Sequence, residues 1–189
     1  CDEIRGVAQK IGAVNTIVKE GNRLIGYNTD ALGFYHAIRP YCEPQNILLL
    51  GAGGTSRSLA IQFQELGRKV TVLNRSKNRL EWFHHHNIDA YTYDEPLSSS
   101  YDLIVNTTSA GLTDNSLPMD ESLLQHYCFN ANYLVDVNYV QTPFLTLAHT
   151  LNKPFQNGKN MLIEQAILAA SYYTALPEST IREVLSTIL

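Results

Sequence analysis

Ile47-Leu48-Leu49-Leu50-Gly51-Ala52-Gly53-Gly54-Thr55-Ser56-Arg57-Ser58 decides the fold. Four uninterrupted apolar residues read as a strand buried on both faces, the pattern of a parallel sheet. A glycine turn follows. Residues 56–66 then place Leu59, Phe63 and Leu66 at helical spacing, with Gly67 to end the helix. Strand, glycine turn and helix in that order form the context of a dinucleotide fingerprint. Gly51 permits the tight turn, and Gly53 lets the backbone approach a pyrophosphate. The free N–H groups at the start of the helix would meet its charge. Ala52, Gly54 and Thr55 complete the loop, and Ser56 stands where a third glycine is usual, small enough for close helix–strand packing. The same turn also occurs in proteins with no ligand, and the loop alone does not separate the two readings.

Downstream, residues 70–73, 102–106 (DLIVN) and 134–138 (LVDVN) repeat the buried-strand pattern. Residues 77–86 predict a polar, exposed helix. Residues 161–174 and 178–189 predict two helices separated by Pro177, and Ser98-Ser99-Ser100 predicts a surface loop. The alternation gives an α/β fold, a Rossmann-type doubly wound sheet with right-handed crossovers. Upstream, two β-rich runs, 13–19 and 23–28, flank Glu20-Gly21-Asn22 as a hairpin. Asp30 is expected to N-cap a short helix over 31–38 that Pro40 stops. Residues 4–10 look helical.

The second strand of such a half ends at the adenosine ribose, where a carboxylate selects NAD. Here that place holds Asn74-Arg75-Ser76, with Arg79 four residues past Arg75. Two guanidiniums one helical turn apart suit a 2′-phosphate, so the expected cofactor is NADP. The plainer reading, a solvated helix edge, stands beside this for Arg79 more than for Arg75.

Composition narrows the class. Of 189 residues, 44% are hydrophobic and 17% charged, an ordinary globular balance with length for one domain and part of another. Lys plus Arg is 14 against 18 Asp plus Glu, a net charge of −4, which argues against nucleic acid. No apolar run approaches the roughly 18 residues that span a bilayer. Cys1, Cys42 and Cys128 are too scattered for a metal or disulfide pattern, which fits a cytoplasmic protein with free thiols. His84-His85-His86 point to different sides of a helix and read as a solvated face, not a metal site. The chain opens Cys1-Asp2-Glu3 without Met, which points to a processed N-terminus or a piece of a longer polypeptide.

Four further strings are hard to explain by folding alone. They are Gly12-Ala13-Val14-Asn15-Thr16, Gly26-Tyr27-Asn28-Thr29-Asp30-Ala31-Leu32-Gly33-Phe34, Asn106-Thr107-Thr108-Ser109, and Gly158-Lys159-Asn160-Met161-Leu162-Ile163-Glu164-Gln165-Ala166. With GAGG and Asn-Arg-Ser between them, they resemble the shikimate dehydrogenase family along essentially the whole chain. That resemblance implies NADPH-dependent reduction of the C3 carbonyl of 3-dehydroshikimate to shikimate, on the route to chorismate and aromatic amino acids. It implies a substrate domain from residues 1–30 and 158–189 and an NADP-binding domain from 31–157, with the reaction in the cleft between them. It also implies a small-molecule partner for a monomer or homodimer.

Carried over residue by residue, Asn15 and Asp30 resemble the side chains that hold the substrate hydroxyls, with Asp30 also the acidic half of the catalytic pair. Gln165 resembles a third substrate contact and Tyr139 the tyrosine near the substrate carboxylate. Asn106, Thr107, Thr108 and Ser109 resemble the loop flanking the cofactor, and Gly158 and Met161 the nicotinamide neighbours. Each has a plainer reading: a helix cap for Asp30, a strand edge for Asn15, surface for Gln165, packing for Tyr139. The lysine that donates the proton in the family, and the serines that hold the substrate carboxylate, have no counterpart among the fourteen residues before Asn15. Lys10 lies too close to Asn15 to serve. The expectation is therefore a fragment that binds cofactor with little activity of its own. A quinate/shikimate dehydrogenase, a catalytically silent NADP-binding module and a methylene-tetrahydrofolate dehydrogenase are the alternatives. Arg75 with Arg79 weighs against the first, retained Asn15, Asp30 and Gln165 against the second, and the Asn-Thr-Asp and Met-Leu-x-x-Gln strings against the third.

Overall fold

The computed structural model describes residues 1–95, 97 and 100–187. Its centre is β4 (Asn46–Leu50), first in the chain of six parallel strands. On one side lie β5 (Lys69–Leu73) and β6 (Asp89–Tyr91), on the other β7 (Leu103–Asn106), β8 (Tyr133–Asp136) and β9 (Phe155–Gln156). The strand order therefore reverses at β4, and the C-terminal ends of β4 and its neighbours flank a switch-point crevice, where open α/β sheets bind ligands.

Alternation along β4 divides the core between two faces. Ile47 and Leu49 point to a layer with Leu59, Phe63, Phe83 and Ile38, while Leu48 and Leu50 point to a layer with Leu124, Tyr127, Phe144 and Leu145. The first layer is covered by α3 (Gly54–Glu65) and α4 (Glu81–His85), the second by α5 (Glu121–Phe129) and α6 (Pro143–Thr150). Burial on both faces is what an unbroken apolar strand requires.

A second sheet has the order β1-β3-β2. In it β2 (Thr16–Glu20) and β3 (Arg23–Tyr27) form the expected hairpin around Gly21 (φ +60°), and β1 (Glu3–Ile4) runs parallel to β3. Helix α1 (Val7–Ile11) leans on α3, and α2 (Asp30–Ile38) packs against both α3 and α7 (Lys159–Thr174). Helix α8 (Glu178–Ser186) closes on α7, where Arg182 binds Glu164 through its two terminal guanidinium nitrogens. No helix among the described residues is long and apolar enough to cross a membrane.

Several expectations change. Asp30 is the first residue of α2 and not its cap; Thr29 precedes the helix and no side chain caps it. The reason is that Asn28 Oδ1 takes the Asp30 N–H (3.0 Å) and Asn15 Oδ1 the Thr29 N–H (3.0 Å), which frees the Asp30 carboxylate. The helix expected over 77–86 splits into a 3-10 turn, Lys77–Arg79, and α4, because Leu80 and Phe83 turn into the core. In place of one helix over 4–10, Gly6 (φ +62°) separates β1 from α1. Ser98 and Ser99 of the serine loop, and the last two residues of the C-terminal helix, lie outside the described residues; Ser100 is exposed.

Candidate functional site

The crevice at the switch point is a cleft of about 600 Å³. Its floor is the glycine turn. Gly51 has φ +106°, and a Cβ there would stand 2.8 Å from Thr107 Oγ1 and 2.9 Å from Thr108 Cγ2, so no other residue fits. Gly53 is exposed, and a Cβ on it would meet nothing within 4 Å, which leaves open space above the start of α3. No side chain caps that helix, so its first N–H groups and positive end face the cleft. Ser56 is fully buried, as a residue in the third-glycine position must be for close helix–strand contact.

At the β5 end of the cleft Asn74 is buried, and its Nδ2 donates to the Ser76 carbonyl (3.0 Å). That turn projects Arg75 and Arg79, both exposed, along the cleft wall. Neither forms an ion pair among the described residues. Tyr93, just past β6, joins them; burial pushes its phenol pKa up and Arg75 pulls it back. Sequence reasoning missed Tyr93 because a three-residue strand carries no periodicity to announce it.

The loop after β7 forms the facing wall with Thr107, Thr108 and Ser109. Thr107 is pinned to the Leu50 carbonyl through its N–H (2.9 Å) and Oγ1 (2.7 Å). Asn106 supports the loop from beneath: its Oδ1 accepts from Thr108 N (3.1 Å) and Thr108 Oγ1 (2.7 Å), and it is itself fully buried. The wall extends over residues 110–118, which sequence reasoning did not single out; Asp114 Oδ1 closes that loop by accepting from Gly111 N and Ser116 Oγ.

A second, smaller pocket of about 270 Å³ is lined by Asn15, Thr29, Asp30 and Gln165, with Ala166 and Ala169 of α7 as its apolar side. Asn15 organises it, donating from Nδ2 to Asp30 Oδ1 (2.7 Å) while its Oδ1 accepts from Thr29 N and Thr16 Oγ1. Burial raises the Asp30 carboxyl pKa, and hydrogen bonds from Asn15 and Thr55 oppose the rise. Gln165 reaches the pocket because α2 and α7 touch at Gly33, where a Cβ would lie 2.7 Å from Gln165 N.

The cleft and the pocket share the start of α3. Thr55 hydrogen-bonds Asp30, and a Cβ on Gly54 would lie 3.9 Å from that of Ala13. Gly54 and Thr55, expected on the cofactor side, are not among the side chains that line the cleft, and the Thr55 hydroxyl turns to Asp30. Tyr139 is 62% exposed and outside the pocket. Met161, in the first turn of α7, is buried in the core, and Gly158 rests on the Val137 carbonyl. Ser76 offers its carbonyl to Asn74 and does not line the cleft. Lys10 pairs with Glu65 of α3, away from Asp30. His84 and His86 bind the Ala90 and Trp82 carbonyls, and the described residues hold no cluster of metal ligands.

No protein-family model matches the chain. A shikimate dehydrogenase (NADP(+)) of Helicobacter pylori is 44% identical over 191 residues, covering 100% of this chain and 71% of that protein. One from Helicobacter hepaticus is 46% identical over 172 residues, covering 89% of this chain and 64% of its own length. Among solved structures, shikimate 5-dehydrogenase of Thermus thermophilus, in complex with NADP(H) and shikimate, superposes with a TM-score of 0.80 at 33% identity, over 100% of this chain and 73% of that one. An uncapped glycine turn, an arginine pair at the second strand and an Asn–Asp pocket across the first turn of α3 are thus found on a sequence this close to those enzymes, and the chain belongs to the shikimate dehydrogenase family.

Proposed function

We propose that the protein reduces 3-dehydroshikimate to shikimate with NADPH in the cytoplasm, the chain described here supplying the cofactor cleft and part of the substrate pocket. The observation that carries this reading is the position of α3. Its uncapped first turn stands between a cleft flanked by two arginines that form no ion pair among the described residues and a pocket whose polar groups converge on one small volume. The residues present fit the cofactor: Gly51 and Gly53 leave room at the helix start for a pyrophosphate, and no carboxylate at Asn74 repels a 2′-phosphate from Arg75 and Arg79.

NADPH supplies the hydride when bound. The chain's own residues bind and orient the substrate. Asn15, Asp30 and Gln165 present donors and acceptors to ring hydroxyls, so an analogue lacking a hydroxyl would leave buried groups unpaired. Asp30, held by Asn15 and Thr55, would orient and tune a proton donor at the carbonyl that is reduced. The family's lysine donor is not among the residues that line the pocket, so this chain is expected to bind cofactor with little turnover. In this reading residues 1–30 and 158–189 serve the substrate, residues 31–157 the cofactor, and the protein acts as a monomer or homodimer.

Calorimetric titration with NADPH and NADH tests the reading. The chain should prefer NADPH by roughly 10- to 100-fold, the worth of charge-assisted bonds to one phosphate, and Arg75→Ala should abolish the preference. Equal binding of both cofactors by the unaltered chain would refute it.

A further inference from the structure

We propose that Asp136 is the positioning residue for the nicotinamide half of the cofactor, an inference that rests on the NADP reading of the large cleft. Asp136 ends β8 and is fully buried, yet no cation pairs with it among the described residues. Its carboxylate is held by four donors instead. Asn106 Nδ2 (3.0 Å) and Thr142 Oγ1 (2.7 Å) reach Oδ2, and Asn138 N and Nδ2 (both 2.9 Å) reach Oδ1. A buried anion costs solvation energy that a neutral side chain would not. What this one does is tie the side chains of the loops that follow β7 and β8 to one point, beyond the backbone bond from Val137 N to the Asn106 carbonyl (3.0 Å).

Three segments hang from it. Asn106 shapes the cleft wall at Thr108 through its Oδ1, and Asp136 fixes the orientation of that amide by accepting from its Nδ2. Asn138 bridges Asp136 and the Thr108 carbonyl (3.1 Å) with one amide group. The Asn138 carbonyl then accepts from Gly158 N (2.9 Å), and Gly158 is so close to Val137 that a Cβ would stand 1.9 Å from its carbonyl oxygen. Gly158 opens α7, the helix that carries Gln165 into the substrate pocket. One carboxylate therefore sets the cofactor wall and the start of the substrate helix relative to each other.

Strand order says which half of the cofactor this concerns. Arg75 follows β5, the glycine turn follows β4, and the Thr107–Ser109 loop and the Asn138 turn follow β7 and β8. With the 2′-phosphate at Arg75 and the pyrophosphate at the glycine turn, the remaining half of a dinucleotide lies over the ends of β7 and β8.

Calorimetry on this chain with two ligands separates positioning from general damage. Adenosine 2′,5′-bisphosphate reports the arginine end, and NADPH reports both ends. Asp136→Asn offers an NH₂ where two donors need an acceptor, and Asn138→Ala removes the tie to Thr108 while leaving Asp136 three donors. Each variant should weaken NADPH by about tenfold or more and the bisphosphate by less than about twofold. If Asp136→Asn lacks a cooperative melt, Asn138→Ala decides. Equal weakening of both ligands, or no weakening of NADPH in a folded variant, overturns the inference while leaving the cofactor reading intact. Failure of the unaltered chain to bind either ligand overturns both.

Discussion

Gly33→Ala tests the contact that builds the substrate pocket. Gly33 lies inside α2, where alanine is the better helix former by about 1 kcal/mol. A glycine that merely faced solvent would therefore be stabilised by the change. Here the new Cβ would stand 2.7 Å from Gln165 N, 2.9 Å from its Cα and 3.0 Å from its Cβ. Two of those atoms are backbone, so no rotamer relieves the clash, and α7 must retreat by about 0.7 Å to reach ordinary contact. Overpacking of that kind costs up to about 3 kcal/mol, which leaves a net loss of about 2 kcal/mol after the gain in helix propensity. For a chain of this length that is a fall in Tm of about 4–8 °C. The same retreat carries Gln165 away from Asn15 and Asp30, so shikimate affinity should fall by about tenfold. Thermal unfolding by circular dichroism and calorimetric titration of shikimate read the two effects. A Tm that rises, with shikimate binding unchanged, would refute the close-packed reading of α2 against α7.

Two further outcomes follow from burial and charge. Burial raises the Asp30 pKa above its value in the unfolded chain, so the native state holds its proton to higher pH and loses relative stability as pH rises through that raised pKa. In urea unfolding from about pH 4 to about pH 7, Asp30→Asn should gain stability against the unaltered chain as pH increases, and a constant difference would contradict this. Burial also pushes the Cys42 and Cys128 thiols to about 11 and about 12, while Cys1 is exposed. A thiol-disulfide reagent at about pH 8 should modify one cysteine rapidly in the native chain and all three after unfolding; two rapid thiols would argue against the half-buried placement of Cys42 and its raised pKa.

The parallel sheet was legible because its central strands are apolar without a break, and β4, β5, β7 and β8 lie within a residue or two of their sequence bounds. Strands β6 and β9 were not, since three and two residues carry no period, and neighbours define them. Helices α5 and α6 were missed despite readable starts: Asp120 accepts from Leu123 N, and Thr142 precedes Pro143 at the first helical position. In the candidate site, Gly51 and Arg75 could be singled out from local chemistry and Asp30 from its Asn-Thr-Asp string, and the structure sets the first two in the cleft and Asp30 in the pocket. The role of Asn106 was harder to see. Its side chain works from inside the protein, holding the loop that lines the cleft, and only the fold shows that Asp136, thirty residues on, holds it in turn.

The charge inventory of the small pocket leads to a last prediction. Asn15, Thr16, Thr29, Asp30 and Gln165 supply partners for hydroxyl groups, and among the described residues no lysine, arginine or histidine lines it. Shikimate carries a carboxylate as well as hydroxyls. In this pocket that carboxylate meets no counter-charge and shares the space with Asp30, a repulsion of about 2 kcal/mol at roughly 8 Å and an effective dielectric of about 20 when both are ionised. Tyr139, the residue sequence reasoning placed near the carboxylate, is exposed and outside the pocket. Methyl shikimate, which keeps the hydroxyls and loses the charge, should therefore bind this chain at least as tightly as shikimate itself. Competition calorimetry in the presence of saturating NADPH measures the ratio. A preference for shikimate of more than about tenfold would mean that a cation within these residues reaches the pocket, and the hydroxyl-only account of its recognition would fall.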